Sequence, residues 1–125
     1  MKVRLTRFIF VVIRQPDGIT EREFPILADS LGKAKPDRWQ LLQPEHVIAY
    51  FVDRRGAAAR ADWLEQRARE LRAFDPLFSR CRVARHVGLA VAQFDWLGRM
   101  RSSAAGDQAN VAMRLVSDGP APAAS

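Results

Sequence analysis

The sequence predicts an α+β sandwich of ferredoxin-like topology, with a central, mainly antiparallel sheet and helices packed on one face. Three observations predict it. Val3–Arg14 is rich in Val, Ile, Phe and Thr and apolar at every position from Phe8 to Ile13, as in a strand covered on both sides. Ala57, Ala61, Leu64, Ala68 and Leu71 recur at helical spacing, which gives a helix one apolar stripe. Strands and helices alternate along the rest, and a helix after the first strand supplies a crossover to a later one. The chain has 125 residues, 48% of them hydrophobic, enough for one domain with a core that needs neither metal nor disulfide.

The elements follow in order. The first strand ends at Pro16-Asp17-Gly18, a strong turn signal. Ile19–Ala34 then reads as a helix. Thr20 stands as its N-cap, Glu23 completes a capping box, and Gly32 marks its end. Pro25 lies early enough in that helix to be tolerated. Trp39–Leu42 reads as a short strand and His46–Val52 as a buried one. The clearest helix runs from Ala57 to Phe74, with Glu65 and Arg69 as an i,i+4 pair on its wet side and Asp75-Pro76 as its stop. Cys81–Trp96 reads as a long strand or a pair of strands. Val83, Val87, Leu89 and Val91 share one side of it; Ala84, Gly88, Ala90, Ala92, Phe94 and Trp96 share the other. Leu97–Ala105 reads as a loop and Asp107–Val116 as a helix capped by Asp107. The organisation expected is one domain over residues 1–116 and a disordered Pro/Ala tail over 117–125.

Charge and cysteine narrow the function classes. Lys and Arg number 20 against 14 Asp and Glu, a formal net charge of +6, and only three of the 20 are lysine. The arginines are scattered among acids, so the excess favours acidic surfaces without forming a nucleic-acid stripe. The one cysteine, Cys81, has no CxxC or Cys/His cluster around it; zinc and an intrachain disulfide are not expected, and an intracellular, cytoplasmic protein is. Phe8–Ile13 is too short for a membrane helix, and no cleavage pattern follows it, so neither a targeting segment nor a membrane partner is expected.

One segment carries more specific information. Gly106-Asp107-Gln108-Ala109-Asn110-Val111-Ala112-Met113-Arg114-Leu115 resembles the G-D-x-x-N-x-A-x-R-[LM] signature of class III nucleotidyl cyclase catalytic domains. Phe10–Thr20 falls where that family has F-x-D-I-x-G-F-T, His46–Phe51 resembles its second core strand, and Val87-Gly88-Leu89 the start of R-x-G-[IL]-H-x-G. The likeness covers about residues 3 to 118, and only the GDxxN segment is specific. It implies a domain that pairs with a second copy or a related cyclase-like protein. It also implies a reaction that joins a ribose 3′-hydroxyl to an α-phosphate, with two metals held by two aspartates.

The family's residues carry over unevenly. The first aspartate falls at Val12, which cannot ligate a metal. The second falls near Glu45, the one weak metal candidate, which follows Pro44 where the family has glycine. The purine-selecting places hold Leu41 and Ser103. Asn110 and Arg114 match the pair that orients the ribose and stabilises the phosphate, and with Asp107 they are the candidates for nucleotide or phosphate binding. No catalytic residue, metal or cofactor is expected. The resemblance therefore implies a degenerate, non-catalytic cyclase-homology domain acting through dimerisation or partner binding, with weak nucleotide binding retained. Each residue also has a plain reading. Asn110 and Arg114 lie one helical turn apart and fit a surface hydrogen bond; Asp107 fits a cap. His46 and His86 fit packed or half-exposed histidines, Trp39, Trp63 and Trp96 fit core or interface, and Cys81 fits an inert thiol. The alternative function is a basic α/β nucleic-acid-binding module with Phe8, Phe10 or Tyr50 as stacking platforms. It is disfavoured, because those rings lie in apolar runs that suggest burial.

Overall fold

The computed structural model describes residues 2–104. In chain order these form β1 (Lys2–Arg14), α1 (Glu23–Ser30), a 3-10 turn (Gly32–Ala34), β2 (Arg38–Leu42), β3 (His46–Val52), α2 (Ala57–Leu71), a second 3-10 turn (Pro76–Phe78), β4 (Arg82–Phe94) and β5 (Met100–Ala104). The strands make one sheet in the order β2-β3-β1-β4-β5, with every neighbouring pair antiparallel. This is the predicted α+β sandwich with ferredoxin-like topology. β1 is central, and its unbroken apolar run Phe8–Ile13 is buried on both faces.

Alternation along β1 divides the molecule. Ile9, Val11 and Ile13 face the helices and share a core with Leu27 and Leu31, with the α2 stripe Ala57, Ala61, Leu64, Ala68 and Leu71, and with Phe78 and Cys81. Phe8, Phe10 and Val12 face the other way and cluster with Ile48, Tyr50, Ala90, Ala92 and Phe94. The sheet curves around this second face. Arg38 Nη1 on edge strand β2 donates to the Arg101 carbonyl on the opposite edge strand β5 at 2.9 Å, so the two outer strands approach each other across it. A register irregularity at Gln93/Phe94 helps β5 bend away from a flat ladder.

Several boundaries differ from expectation. The helix expected over Ile19–Ala34 is a shorter helix, Glu23–Ser30, followed by a separate 3-10 turn. The capping box is present. Glu23 N donates to Thr20 Oγ1 at 3.1 Å, and Thr20 N donates to Glu23 Oε1 at 3.0 Å. Gly32 does not end the helix in a left-handed conformation; that position falls to Lys35, with φ 48°. α2 ends at Leu71, and Phe74 is 65% exposed. Glu65 does not pair along its own helix with Arg69. Its carboxylate accepts from Arg85 Nη2 on β4 at 2.9 Å, in a bridge that also takes in Asp62 and joins helix to sheet. The expected loop over 97–105 is a tight turn leading into β5. The expected 107–116 helix and 117–125 tail lie outside the described residues.

Candidate functional site

The floor of the concave face is apolar. Val12 is fully buried there, opposite Ile48 on β3 and Ala84 on β4. Phe10 beside it packs edge-on to Tyr50, with centroids 5.5 Å apart, and nearly parallel to the His86 ring at 6.1 Å. A hydrogen-bonded pair stands beside this floor, in which Tyr50 Oη donates to Gln40 Oε1. Nothing in the sequence signals that pair, because it depends on the β2–β3 register that sets Gln40 opposite Ile48. His86 is half-buried against Phe10, as its plain reading had it. Phe8, Phe10 and Tyr50 present almost no surface to solvent, so none offers the open ring that base stacking requires.

At the end of β1 the chemistry becomes polar. Glu45, in the turn before β3, binds Arg14 Nε at 3.0 Å through Oε2, with both side chains 27% exposed. The one acid near the second metal place is thus held by a guanidinium. Among the described residues no group of three His, Cys, Asp or Glu side chains is gathered in a way that suits a metal ion. Leu41 packs against the helix-side core, the opposite face from Val12. Ser103 stands opposite Ala92 on β5. Asn110, Arg114 and Asp107 lie outside the described residues. Beyond Arg14, an open recess of about 440 Å³ is lined by Asp17, Gly18, Ile19, Thr20, Glu23, Gln43 and Pro44. Both acids there are engaged: Asp17 accepts from Arg80 Nη1 at 3.2 Å, and Glu23 is held by Thr20. Gly18 holds φ +90° so that the Ile19 N–H can reach the Pro44 carbonyl at 2.7 Å.

His46 opens β3 next to Glu45, with its Nε2 buried and without a hydrogen-bond partner. Burial pushes its pKa below the usual 6.5; the Glu45 carboxylate opposes that shift, and Arg14 adds to it. The unfolded chain therefore binds the proton first as pH falls. Stability is expected to be full above pH 6.5 and to decline below it until the folded imidazole also protonates. Urea midpoints between pH 7.5 and 5 should show this, and His46→Gln should remove that part of the slope. Cys81 lies buried just before β4, and desolvation pushes its thiol up to about 11, against a weaker opposing pull from Arg72 and Arg69. The native protein is expected to resist iodoacetamide at neutral pH and to react fully in denaturant. Labelling in the native state at the denatured rate would contradict this.

Of the three tryptophans, Trp39 and Trp63 pack against the helix-side core, whereas Trp96 is 87% exposed. No described helix is long and apolar enough to cross a membrane.

No family model matches the chain, and no curated protein matches it. Solved structures do. Two structures of a bacterial light-regulated adenylyl cyclase superpose with TM-scores of 0.58 and 0.53, each at 18% identity. Each match covers 94% of this chain and 41% of the cyclase chain, so this chain spans less than half the length of those proteins. At that identity the likeness is one of fold: the five-stranded antiparallel sheet with its two helices has a cyclase-like arrangement.

Proposed function

We propose that this chain is a degenerate cyclase-homology domain that works by association, as a homodimer or with a related cyclase-like protein, and not by cyclising a nucleotide. One observation carries the reading. The position that matches the family's first metal-binding aspartate is Val12, whose side chain is fully buried among Phe10, Ile48 and Tyr50 on the concave face. A valine has no lone pair for a cation, and an apolar floor gives a divalent ion no second ligand. Glu45, matching the second aspartate approximately, spends its carboxylate on Arg14. The residues present therefore do not fit a two-metal centre. The associating part of the reading rests on the cyclase-like fold, whose sheet and helices pack without any metal ligand.

Asn110 and Arg114, with Asp107 beside them, are proposed to retain weak binding of a nucleotide phosphate, for which a guanidinium is well suited. Sedimentation velocity over a wide concentration range tests the first part: a reversible dimer is expected, and a single monomeric species at every concentration removes the homodimer. Amide shifts during titration with ATP or GTP test the second. Movement at Asn110 and Arg114 is expected, and no movement there counts against retained binding.

A further inference from the structure

The end of the sheet farthest from α1 and α2 carries an unusual surface. β3 pairs with β1 only as far as Phe8, opposite Val52, whereas β1 and β4 stay paired out to Lys2 and Phe94. Lys2–Arg7, the distal half of β4 and β5 thus project as an arm. Val3 and Leu5 share the helix-side face with Ile9 and Val11, yet they are 61% and 68% exposed because no helix reaches them. Leu89 and Val91 lie opposite Arg7 and Leu5 on that same face and are also exposed. Among the described residues, six of the nine exposed large hydrophobic side chains lie on this arm or its turn. A scatter of single surface hydrophobics would not concentrate in this way.

The apex is rigidly built. Asp95 N donates to the Arg99 carbonyl and Gly98 N to the Asp95 carbonyl, each at 2.9 Å, and Asp95 Oδ1 accepts from the N–H groups of Leu97 and Arg99. That turn presents two adjacent apolar side chains outward: Trp96 at 87% exposure and Leu97 at 55%. Lys2 and Arg4 share a recess with Trp96, while Arg99 closes the turn and Arg101 follows on β5; all four cations are exposed. The one acid, Asp95, is satisfied within the turn by Arg99 Nε at 2.9 Å. Lys2, Arg4, Phe94 and Trp96 line a recess of about 460 Å³ together with Asp95 and Gly98, and the Arg4 guanidinium lies 4.5 Å from the Phe94 ring centroid.

We infer that this arm tip is a peripheral docking surface for an anionic lipid bilayer, with Trp96 and Leu97 entering the interface and Lys2, Arg4 and Arg101 meeting headgroup phosphates. An indole with an aliphatic neighbour suits the boundary between headgroups and acyl chains. Basic residues beside it gain from the negative surface potential. A second copy seated tip to tip would instead bring like charges together. Single-stranded nucleic acid would leave Leu97 unused. A contact of this kind needs no membrane-spanning segment.

Co-sedimentation of the full chain with phosphatidylcholine vesicles, with and without phosphatidylserine, tests it. Binding is expected only to the phosphatidylserine vesicles and should weaken as salt rises. The double variant Trp96→Ser, Leu97→Ser should lose about tenfold or more of the partitioning, and Lys2→Gln or Arg101→Gln about fivefold each. All four positions are exposed, and an unchanged circular dichroism spectrum confirms that the variants fold. Failure to bind phosphatidylserine vesicles, equal binding to neutral ones, or full binding by the tip variant would overturn the inference. So would loss of a dimer by the tip variant in the absence of vesicle binding, which would assign the surface to a second copy. Failure here leaves the association reading standing, since sedimentation without vesicles tests that separately.

Discussion

Replacing Val12 by aspartate, the residue that the cyclase pattern has there, is expected to destabilise the protein by about 3–5 kcal/mol, the usual range for an uncompensated buried charge. Val12 is fully buried on the central strand, between Ile48 and Ala84 and beside Phe10. The cluster it packs in is built from hydrophobic side chains, which give a carboxylate nothing in place of its lost hydration. The effect has a sign in pH. Burial would raise the pKa of the new acid above its unfolded value of about 3.9, so the loss should be smallest in acid and grow as pH rises past that value. Urea unfolding between pH 3.5 and 7.5 measures it, with Val12→Ala as the control for lost volume, expected at about 2 kcal/mol. An aspartate variant as stable as the parent at neutral pH would mean that the concave face accepts a charge, and with it a cation.

Gln15→Leu should be nearly as damaging, at about 3 kcal/mol. Gln15 is 3% exposed and is the one buried polar side chain recorded among the described residues. Its Nε2 donates to the carbonyls of Leu77 at 2.9 Å and Ser79 at 2.7 Å, and its Oε1 accepts from Asp17 N at 3.2 Å. Its own N–H donates to the Glu45 carbonyl at 2.8 Å. One side chain thus fastens the turn after β1 to the segment before β4, while its backbone fastens it to the turn before β3. Leucine keeps the volume but leaves two carbonyls and an N–H without partners in a place with little water, at about 1–3 kcal/mol for each group left unmet. Thermal unfolding checks it. A change below about 0.5 kcal/mol would show that water replaces the amide.

Much of this fold was legible because its signals are local. β3 follows from an unbroken apolar run and the α2 stripe from a 3.6-residue period, signals that need no knowledge of neighbours. The same is true of the buried half of β1, and the Thr20–Glu23 box is likewise local. β5 was not legible: Met-Arg-Ser-Ser-Ala has no apolar alternation, and it becomes a strand only because β4 offers an edge. Glu65 was misassigned for a similar reason. Its competitor Arg85 is 20 residues away, and the gain from bridging helix to sheet exceeds that of an exposed pair on one helix. Trp96 has the spacing of a buried strand residue, but the strand ends at Phe94 and the turn carries Trp96 out into solvent.

The candidate site was half legible. Matching residues to a family pattern gave Val12 and Glu45 their significance, and the strand register then put Val12 on the concave face and Glu45 against Arg14. Leu41 could not be placed from spacing alone. Whether it faces the cleft or the helices depends on the phase of β2, and that phase turns Leu41 to the helices and Gln40 to the concave side. Asn110, Arg114 and Asp107 rest on their motif.

The most direct test is a methyl spectrum of the isotope-labelled full chain recorded, without nucleotide, during addition of Mn²⁺, whose unpaired electrons broaden nearby signals. The Val12 and Ile48 methyl resonances are expected to broaden no more than exposed methyl groups elsewhere on the chain. Selective broadening of those two side chains would place a divalent ion on the concave face and contradict the reading of Val12 as the residue that closes this scaffold to metal-dependent chemistry.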